Sequence, residues 1–315
     1  MKRLEKLFFN FSMDCETAPP QLRSPCGGPE SWESSERAIL GITEVMETKG
    51  VLTGLTLMPT TEAVVKHASI LRGLHDTKGI ELGLQLEVRN FDGYALNKGL
   101  GEYDREELVE ILTRAKKVWE DAVGLPCETF RACCASFNDH IFPILEELGF
   151  KQTSCAAPYR YFPEDPHLSW WGAYRYPHHT NRKSRLRVGE MKLYEIPVTR
   201  DHWRWIWGGR APFDLRADWR PGPSPFDPKV PWDPKGYIPT IYDNIEDQLK
   251  CEQPIIAIIG ATHNTQVMTD LNHYARKNLE FIIDYTRRAA EKFGLEFTPS
   301  SFENIRKEAE RIDAF

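Results

Sequence analysis

The feature that most limits what this 315-residue chain can fold into is a repeated alternation of apolar, strand-like runs and amphipathic helical stretches. KLFFNFSM (6–13) reads as a buried strand. A polar loop from Ala18 to Ser31 follows. Ser34 or Ser35 then caps a helix that sets Ala38, Ile39, Ile42, Val45 and Met46 along one face. VLTGLTLMP (51–59) is a second strand stopped by Pro59, and Thr60 or Thr61 caps a helix running to about His75. IELGLQLEV (80–88) is a third strand. The next helix starts at the cap Asp104, runs to Val123 and is ended by Gly124 and Pro126. CETFRACC (127–134), a short helix from Asn138 to Leu148 and FKQTSC (150–155) continue the series. It resumes with a helix near Tyr242 to Leu249, the strand PIIAIIGATH (254–263), a helix from about Thr269 to Phe293, the strand LEFTP and a charged terminal helix.

Repeated β-then-α units specify a parallel α/β fold, either a barrel or an open sheet. The chemistry-bearing residues favour the barrel. Asp14 and Glu16, Gln85 and Glu87, Arg131 and Cys133, and His263 each follow a different strand, and in a barrel these ends meet at one mouth. Between Ala156 and about Pro239 the pattern lapses into a stretch rich in Pro, Trp, Arg and Tyr, where only KLYEIPV (192–198) reads as a strand. We therefore expect one domain over residues 1–315 with an irregular, aromatic-rich insert at about 156–239.

The bulk properties narrow the class. A hydrophobic content of 41% with 27% charged residues is that of a soluble globular chain. A net charge of −6 argues against a nucleic-acid surface. No stretch approaches the ~18 apolar residues of a membrane span. The N-terminal apolar run is short and ends in charge, so it reads as a strand and not a signal peptide. Seven cysteines at irregular spacing, without a CxxC pair, read as reduced thiols of a cytoplasmic protein. A monomer and a homo-oligomer both remain open.

Strand side chains alternate, so Asp14 shares a face with Glu16, Gln85 with Glu87, and Arg131 with Cys133. Close carboxylates need a cation, a shared proton or an arginine beside them. Taken singly, Asp14 suits a loop, Glu87 a solvated pair with Arg89, and His263 a structural hydrogen bond. Their common position after four strands is what points to a site.

The segments FSMDCET, IELGLQLEVRNFDG, ETFRACCASFNDHIFPILEELGF and IIAIIGATHNTQVM, spread over residues 8 to 268, resemble the polysaccharide deacetylases of the NodB-homology type, carbohydrate esterase family 4. The resemblance implies a distorted (β/α) barrel of about seven strands and hydrolysis of an N-acetyl or related amide by a metal-held water. It implies Asp14 as base, Glu16 as metal ligand, Arg131 as the residue that orients the base, and His263 as acid to the leaving amine. Trp203 matches a tryptophan that walls the site, and Asp201 an acid that holds His263. With Cys133 and Asn138, Trp203 completes the expected substrate contacts.

Two departures stand out. Where the family carries its metal-binding histidines, this chain has Gln85 and Glu87. An all-oxygen set of Asp14, Glu16, Gln85 and Glu87 suits Mn²⁺, Mg²⁺ or Ca²⁺ better than Zn²⁺, or holds no metal. The arginine motif reads Arg131-Ala132-Cys133-Cys134 without the usual proline, which raises Cys133 or Cys15 as a nucleophile with His263 as base. The tryptophans and arginines of the insert suit an acidic saccharide or a nucleotide-linked sugar, or simply anchor a long loop. Three readings follow: an amide hydrolase with an altered metal site, a carbohydrate-binding relative without catalysis, and a cysteine-dependent amidase.

Overall fold

The computed structural model describes residues 5–24, 27–91, 93–201, 214–219, 222–223, 231–232 and 236–313. Strand β1 (Lys6–Cys15) is its axis. Eight consecutive residues of β1 pair in parallel with the strand Ile256–His263, from Leu7 opposite Ile256 to Asp14 opposite His263. The other edge is shared. Its first half pairs with Glu296–Pro299 and its second half with β2 (Leu55–Pro59). β2 continues to β3 (Glu81–Leu82). A second sheet runs β4 (Leu84–Leu86), β5 (Thr129–Ala132), β6 (Gln152–Thr153), β8 (Tyr194–Glu195), with β7 (His178–His179) antiparallel to β8. The two-residue strands β9 (Gly222–Pro223) and β10 (Pro231–Trp232) pair only with each other. In chain order the C-terminal strands named above are β11 and β12.

Gly83 is the joint between the two sheets. Its amide donates to the Leu57 carbonyl, and its carbonyl accepts from the Trp119 indole. A Cβ there would meet Met58 Sδ at 2.6 Å and Thr129 Cβ at 2.9 Å, so only glycine lets the chain leave β2 and join β5. The inward faces of β1, β2, β5 and β11 supply Phe9, Phe11, Met13, Leu57, Phe130 and Ile258, all fully buried.

The helices cover these sheets. They are α1 (Trp32–Thr48), α2 (Thr61–Lys78), α3 (Arg105–Val123), α4 (Ile141–Glu147), α5 (Tyr237–Lys250), α6 (Tyr274–Phe293) and α7 (Phe302–Asp313). Thr60 and Asp104 are the caps of α2 and α3. The cap of α1 is Ser31, not Ser34 or Ser35; Ser34 supplies the reciprocal half of a capping box. The first two amides of α7 donate to the buried carboxylate of Glu81, which also accepts from Thr56 and Thr129. No helix among the described residues is long and apolar enough to cross a membrane.

Several expected strands are shorter than the sequence suggests. Only Gln152–Thr153 of FKQTSC and Tyr194–Glu195 of KLYEIPV are paired. After β6, burial of Ser154, Cys155 and Ala156 is set by a side chain instead of a ladder: the Glu195 carboxylate accepts from the amides of Cys155 and Ala156. The described part of the insert is not strandless either, because β7, β9 and β10 lie in it. Trp170 there is wholly buried against Phe137 and donates its indole N–H to the Ala135 carbonyl, so it anchors the insert instead of meeting a ligand.

Candidate active site

The register of the strands gathers the reactive groups. Asp14 lies directly opposite His263 across β1 and β11, and Gln85 opposite Arg131 across β4 and β5. Arg131 is buried and donates from all three of its nitrogens. Its Nη1 donates to Asp14 Oδ1 (2.7 Å) and Ser12 Oγ (2.8 Å), while Nε and Nη2 donate to the Ser154 carbonyl and hydroxyl (2.8 Å each). Asp14 Oδ1 is thereby fixed and Oδ2 faces the cleft side, 4.0 Å from His263 Nε2.

His263 is held from behind. Its Nδ1 lies 2.9 Å from Asp218 Oδ2 and 2.7 Å from Arg216 Nη2, and Arg216 also grips Asp218 through Nε and Nη2. Burial and Arg216 oppose protonation of the imidazole, but Asp218 and Asp14 outweigh them and its pKa is raised. Burial pulls Asp218 the other way, yet Arg216 and His263 hold its carboxyl far below the usual carboxylate range. The acid behind His263 is therefore Asp218. Asp201, expected in that role, is not the residue at Nδ1. Asp218 lies in the irregular insert, where no strand periodicity could mark it.

Glu16 sits 4.0 Å from His263 Nε2 through Oε1, which also accepts the Gln85 amide N–H at 2.7 Å. Burial and the nearby Asp14 and Glu87 carboxylates push its pKa up to about 7, against the pull of His263 and Gln85. Its backbone is clamped at both ends by Asn264, which accepts from the Glu16 amide (2.8 Å), donates to the Glu16 carbonyl (3.1 Å) and reaches Ser35 Oγ (2.7 Å). Asn264 and Ser35 were not among the expected site residues. The signal was the position of Asn264 immediately after His263.

The expected metal set does not assemble. Gln85 turns an N–H donor toward Glu16, and its buried Oε1 has no hydrogen-bond partner. Glu87 turns elsewhere, accepting from Ser24 Oγ (2.8 Å) and the Arg89 amide (3.0 Å). The oxygens of Asp14, Glu16 and Glu87 do not gather within 4.8 Å of one another. Gln85 is bonded to Glu16 while Glu87 is bonded to Ser24 and Arg89, so the three do not fit a divalent ion as a common ligand set.

The remaining expectations divide. β5 ends at Ala132, and Cys133 begins a 3-10 turn, so strand alternation does not carry Cys133 to the face of Arg131. Asn138 donates to the carbonyls of Gly101 and Tyr103 and accepts from His140, tying loops together instead of facing the cleft. Cys15 is wholly buried; burial, with Asp14 and Glu16, drives its thiol pKa well up, which disqualifies it as a nucleophile. Trp203 lies outside the described residues.

The described lining of the cleft includes Asp14, Arg131, Cys134, Arg160, Arg216 and His263 around about 120 Å³. That space admits a small acyl or ureido group with a few waters.

No protein-family model matches the chain, and no curated protein matches it significantly. Solved structures do. A protein named as a polysaccharide deacetylase from Mycobacterium smegmatis superposes with a TM-score of 0.60 at 15% identity, over 98% of this chain and 91% of that one. Puue allantoinase gives 0.58 at 12% over 98% and 92%. A probable polysaccharide deacetylase from Pseudomonas aeruginosa PAO1 gives 0.55 at 12% over 98% and 92%. Over nearly its whole length, therefore, the chain has the α/β fold of the polysaccharide-deacetylase and allantoinase structures.

Proposed function

We propose that the chain is one distorted barrel domain of the NodB type that hydrolyses a non-peptide C–N bond in an N-acylated sugar or a related small amide or ureide. The observation that carries this reading is the facing pair of Asp14 and His263, each backed by its own buried partner on the side away from the other. A gap of 4.0 Å between Asp14 Oδ2 and His263 Nε2 lets one water hydrogen-bond to both.

In the proposed reaction Asp14 Oδ2 takes a proton from that water as its oxygen attacks the acyl carbon. Arg131 keeps the carboxylate in place throughout. The carbonyl π-electrons move to the oxygen. Glu16, whose pKa burial pushes up to about 7, has in its neutral form an O–H to offer that oxygen. On collapse the C–N bond breaks, and protonated His263 gives its proton to the departing nitrogen. Asp218 holds the imidazole as a donor up to that moment. Because Glu16, Gln85 and Glu87 do not fit a common ion, a reactive acyl group such as a formamide or ureide suits the site best. The name of one structural neighbour, an allantoinase, points to a ureide as well.

Charge narrows the substrate further. Arg131, Arg200 and Arg216 are paired with Asp14, Asp214 and Asp218, whereas Arg160 donates to the Cys134 carbonyl. The described lining carries four guanidiniums against the carboxylates of Asp14 and Asp214, with Asp218 behind His263, which favours an acidic substrate. A second reading, a carbohydrate-binding protein without catalysis, is favoured by the misfit of Glu16, Gln85 and Glu87 to a metal. A turnover screen of N-acetyl and N-formyl amino sugars, uronamides and ureides decides between them. Hydrolysis lost in both Asp14→Asn and His263→Asn supports the hydrolase; binding of a sugar at wild-type strength with no turnover supports the alternative.

A further inference from the structure

A different set of ligand atoms comes together at the ends of β4 and β5. These strands pair in register with Leu86 opposite Ala132, so the next residues, Glu87 and Cys133, are brought side by side. Cys134 follows in the same turn. One carboxylate oxygen of Glu87 and the Sγ atoms of Cys133 and Cys134 lie within 4.8 Å of one another. We propose that these three side chains are a binding site for a thiophilic divalent ion of the zinc class, distinct from the acids around His263.

The sulfur spacing fits an ion better than a disulfide. The two Sγ atoms are 3.7 Å apart. Two thiolates on a tetrahedral ion with bonds of ~2.3 Å stand about 3.8 Å apart. A bridge between adjacent cysteines is disfavoured, because their Cα atoms are only ~3.8 Å apart, shorter than the ~4.4 Å at which unstrained disulfides begin.

The turn that presents the sulfurs is strained and locked. Cys134 and Ala135 both have φ +54°, in the left-handed region that non-glycine residues avoid. Every carbonyl of the turn is tied down: Cys133 accepts from the Ser136 amide, Cys134 from Arg160 Nη1 (2.5 Å), and Ala135 from the Trp170 indole (2.9 Å). Such pre-positioning is what a ligand clamp needs and what a plain connection does not.

The bound set carries one net negative charge before its flanking arginines are counted. Binding replaces two thiol protons, which pass to solvent, and leaves three ligand charges against the two of the ion. Arg160 beside Cys134 and Arg89, whose Nη1 is 3.5 Å from Glu87 Oε2, flank the set with positive charge. Ser24 and the Arg89 amide orient the Glu87 carboxylate from outside, as the partners of metal-bound carboxylates do. Three protein ligands leave a fourth position open. Since Cys134 also lines the cleft that holds Asp14 and His263, the ion is reached from that cleft.

The test uses the full chain and the metal alone. Purified protein is freed of metal with a chelator, titrated with Co²⁺ and then with Zn²⁺, and read by thiolate-to-cobalt absorption and by elemental analysis. The expected result is one ion per chain with a thiolate band, displaced by Zn²⁺. The band is lost in Cys133→Ser and in Cys134→Ser, and is kept in Cys251→Ser, whose cysteine is exposed elsewhere. Glu87→Gln keeps the band but weakens binding by at least ~10-fold. Circular dichroism of each variant confirms folding. Should either serine variant unfold, protection of the two thiols from alkylation by Zn²⁺ in the wild type provides the same decision. Absence of the thiolate band and of thiol protection in the wild type overturns the proposal, as does a band that survives loss of both cysteines. Neither outcome depends on turnover, so failure here is separate from failure of the hydrolase reading.

Discussion

Replacing Asp218 by asparagine tests how His263 is tuned. The substitution keeps the shape at Nδ1 but removes a unit charge 2.9 Å from the ring. At that distance the charge is worth about 1.4 kcal/mol in water-like surroundings and about 6 kcal/mol at an effective dielectric of ~20. Because the imidazole is partly exposed, we take the lower end as the safer bound, about one pK unit downward. Arg216 loses its carboxylate in the same step and adds to the fall. The stability consequence has a definite sign. A folded-state His263 pKa above the unfolded value of ~6.5 means that the native state binds more protons in that window. Its stabilisation is complete below ~6.5 and is lost as pH rises through the raised pKa. The variant should therefore lose this slope as well as the high pKa. The assay is NMR titration of ¹⁵N-labelled histidine, with His263→Asn assigning the resonance, alongside denaturant melts from pH 5.5 to 8.5. A His263 pKa in Asp218→Asn equal to or above that of the wild type would refute the electrostatic account.

Other consequences are equally direct. Glu16 is raised from the ordinary 4.5 to about 7, so its contribution to stability is present below 4.5 and lost as pH rises through 7. Glu16→Gln should then be more stable than wild type at pH 8, by up to ~3 kcal/mol, and near-neutral at pH 5; a less stable variant at pH 8 in chemical denaturation contradicts this. Gly83→Ala forces a Cβ to 2.6 Å from Met58 Sδ, so unfolding should shift by about 1–3 kcal/mol, and an unchanged denaturant midpoint shows that the sheets can part there without cost. Asn264→Ala removes both clamps on the Glu16 backbone and strands buried polar groups, for about 1–3 kcal/mol in a melt.

What the sequence showed and what it hid follow from how local each cause is. Strands β1, β2, β5 and β11 and the helices around them were legible, because alternation and capping act within a few residues; Asp104 and Gly124 mark α3 at both ends. The convergence of Asp14, Arg131 and His263 was also legible, since strand ends of a parallel α/β fold share one side. The partner Asp218 was not, because a single acid in an irregular segment carries no periodic mark and reaches His263 only through tertiary contact. The cap Ser31 was missed for a smaller reason. Three serines in five residues offer several caps, and only the backbone geometry selects one. Cys133 was misplaced because alternation was extended one residue beyond the end of β5.

The absence of the two expected histidines changes the meaning of the neighbouring residues together. A buried amide and a buried carboxylate in their places would each cost several kcal/mol if left to face an empty ligand position. Neither is left so. The Gln85 amide donates to Glu16, and Glu87 is turned back by Ser24 and Arg89 toward the side where Cys133 and Cys134 lie. The same strand end thus separates two chemistries. Toward β1 it supplies a donor to the Glu16 carboxylate, whose pKa burial raises. Toward the turn after β5 it supplies an oxygen beside two sulfurs. A hard ion held among carboxylates would need Gln85 and Glu87 to face one way, whereas their opposed contacts are what permit a proton-handling cleft and a sulfur-rich clamp to stand side by side.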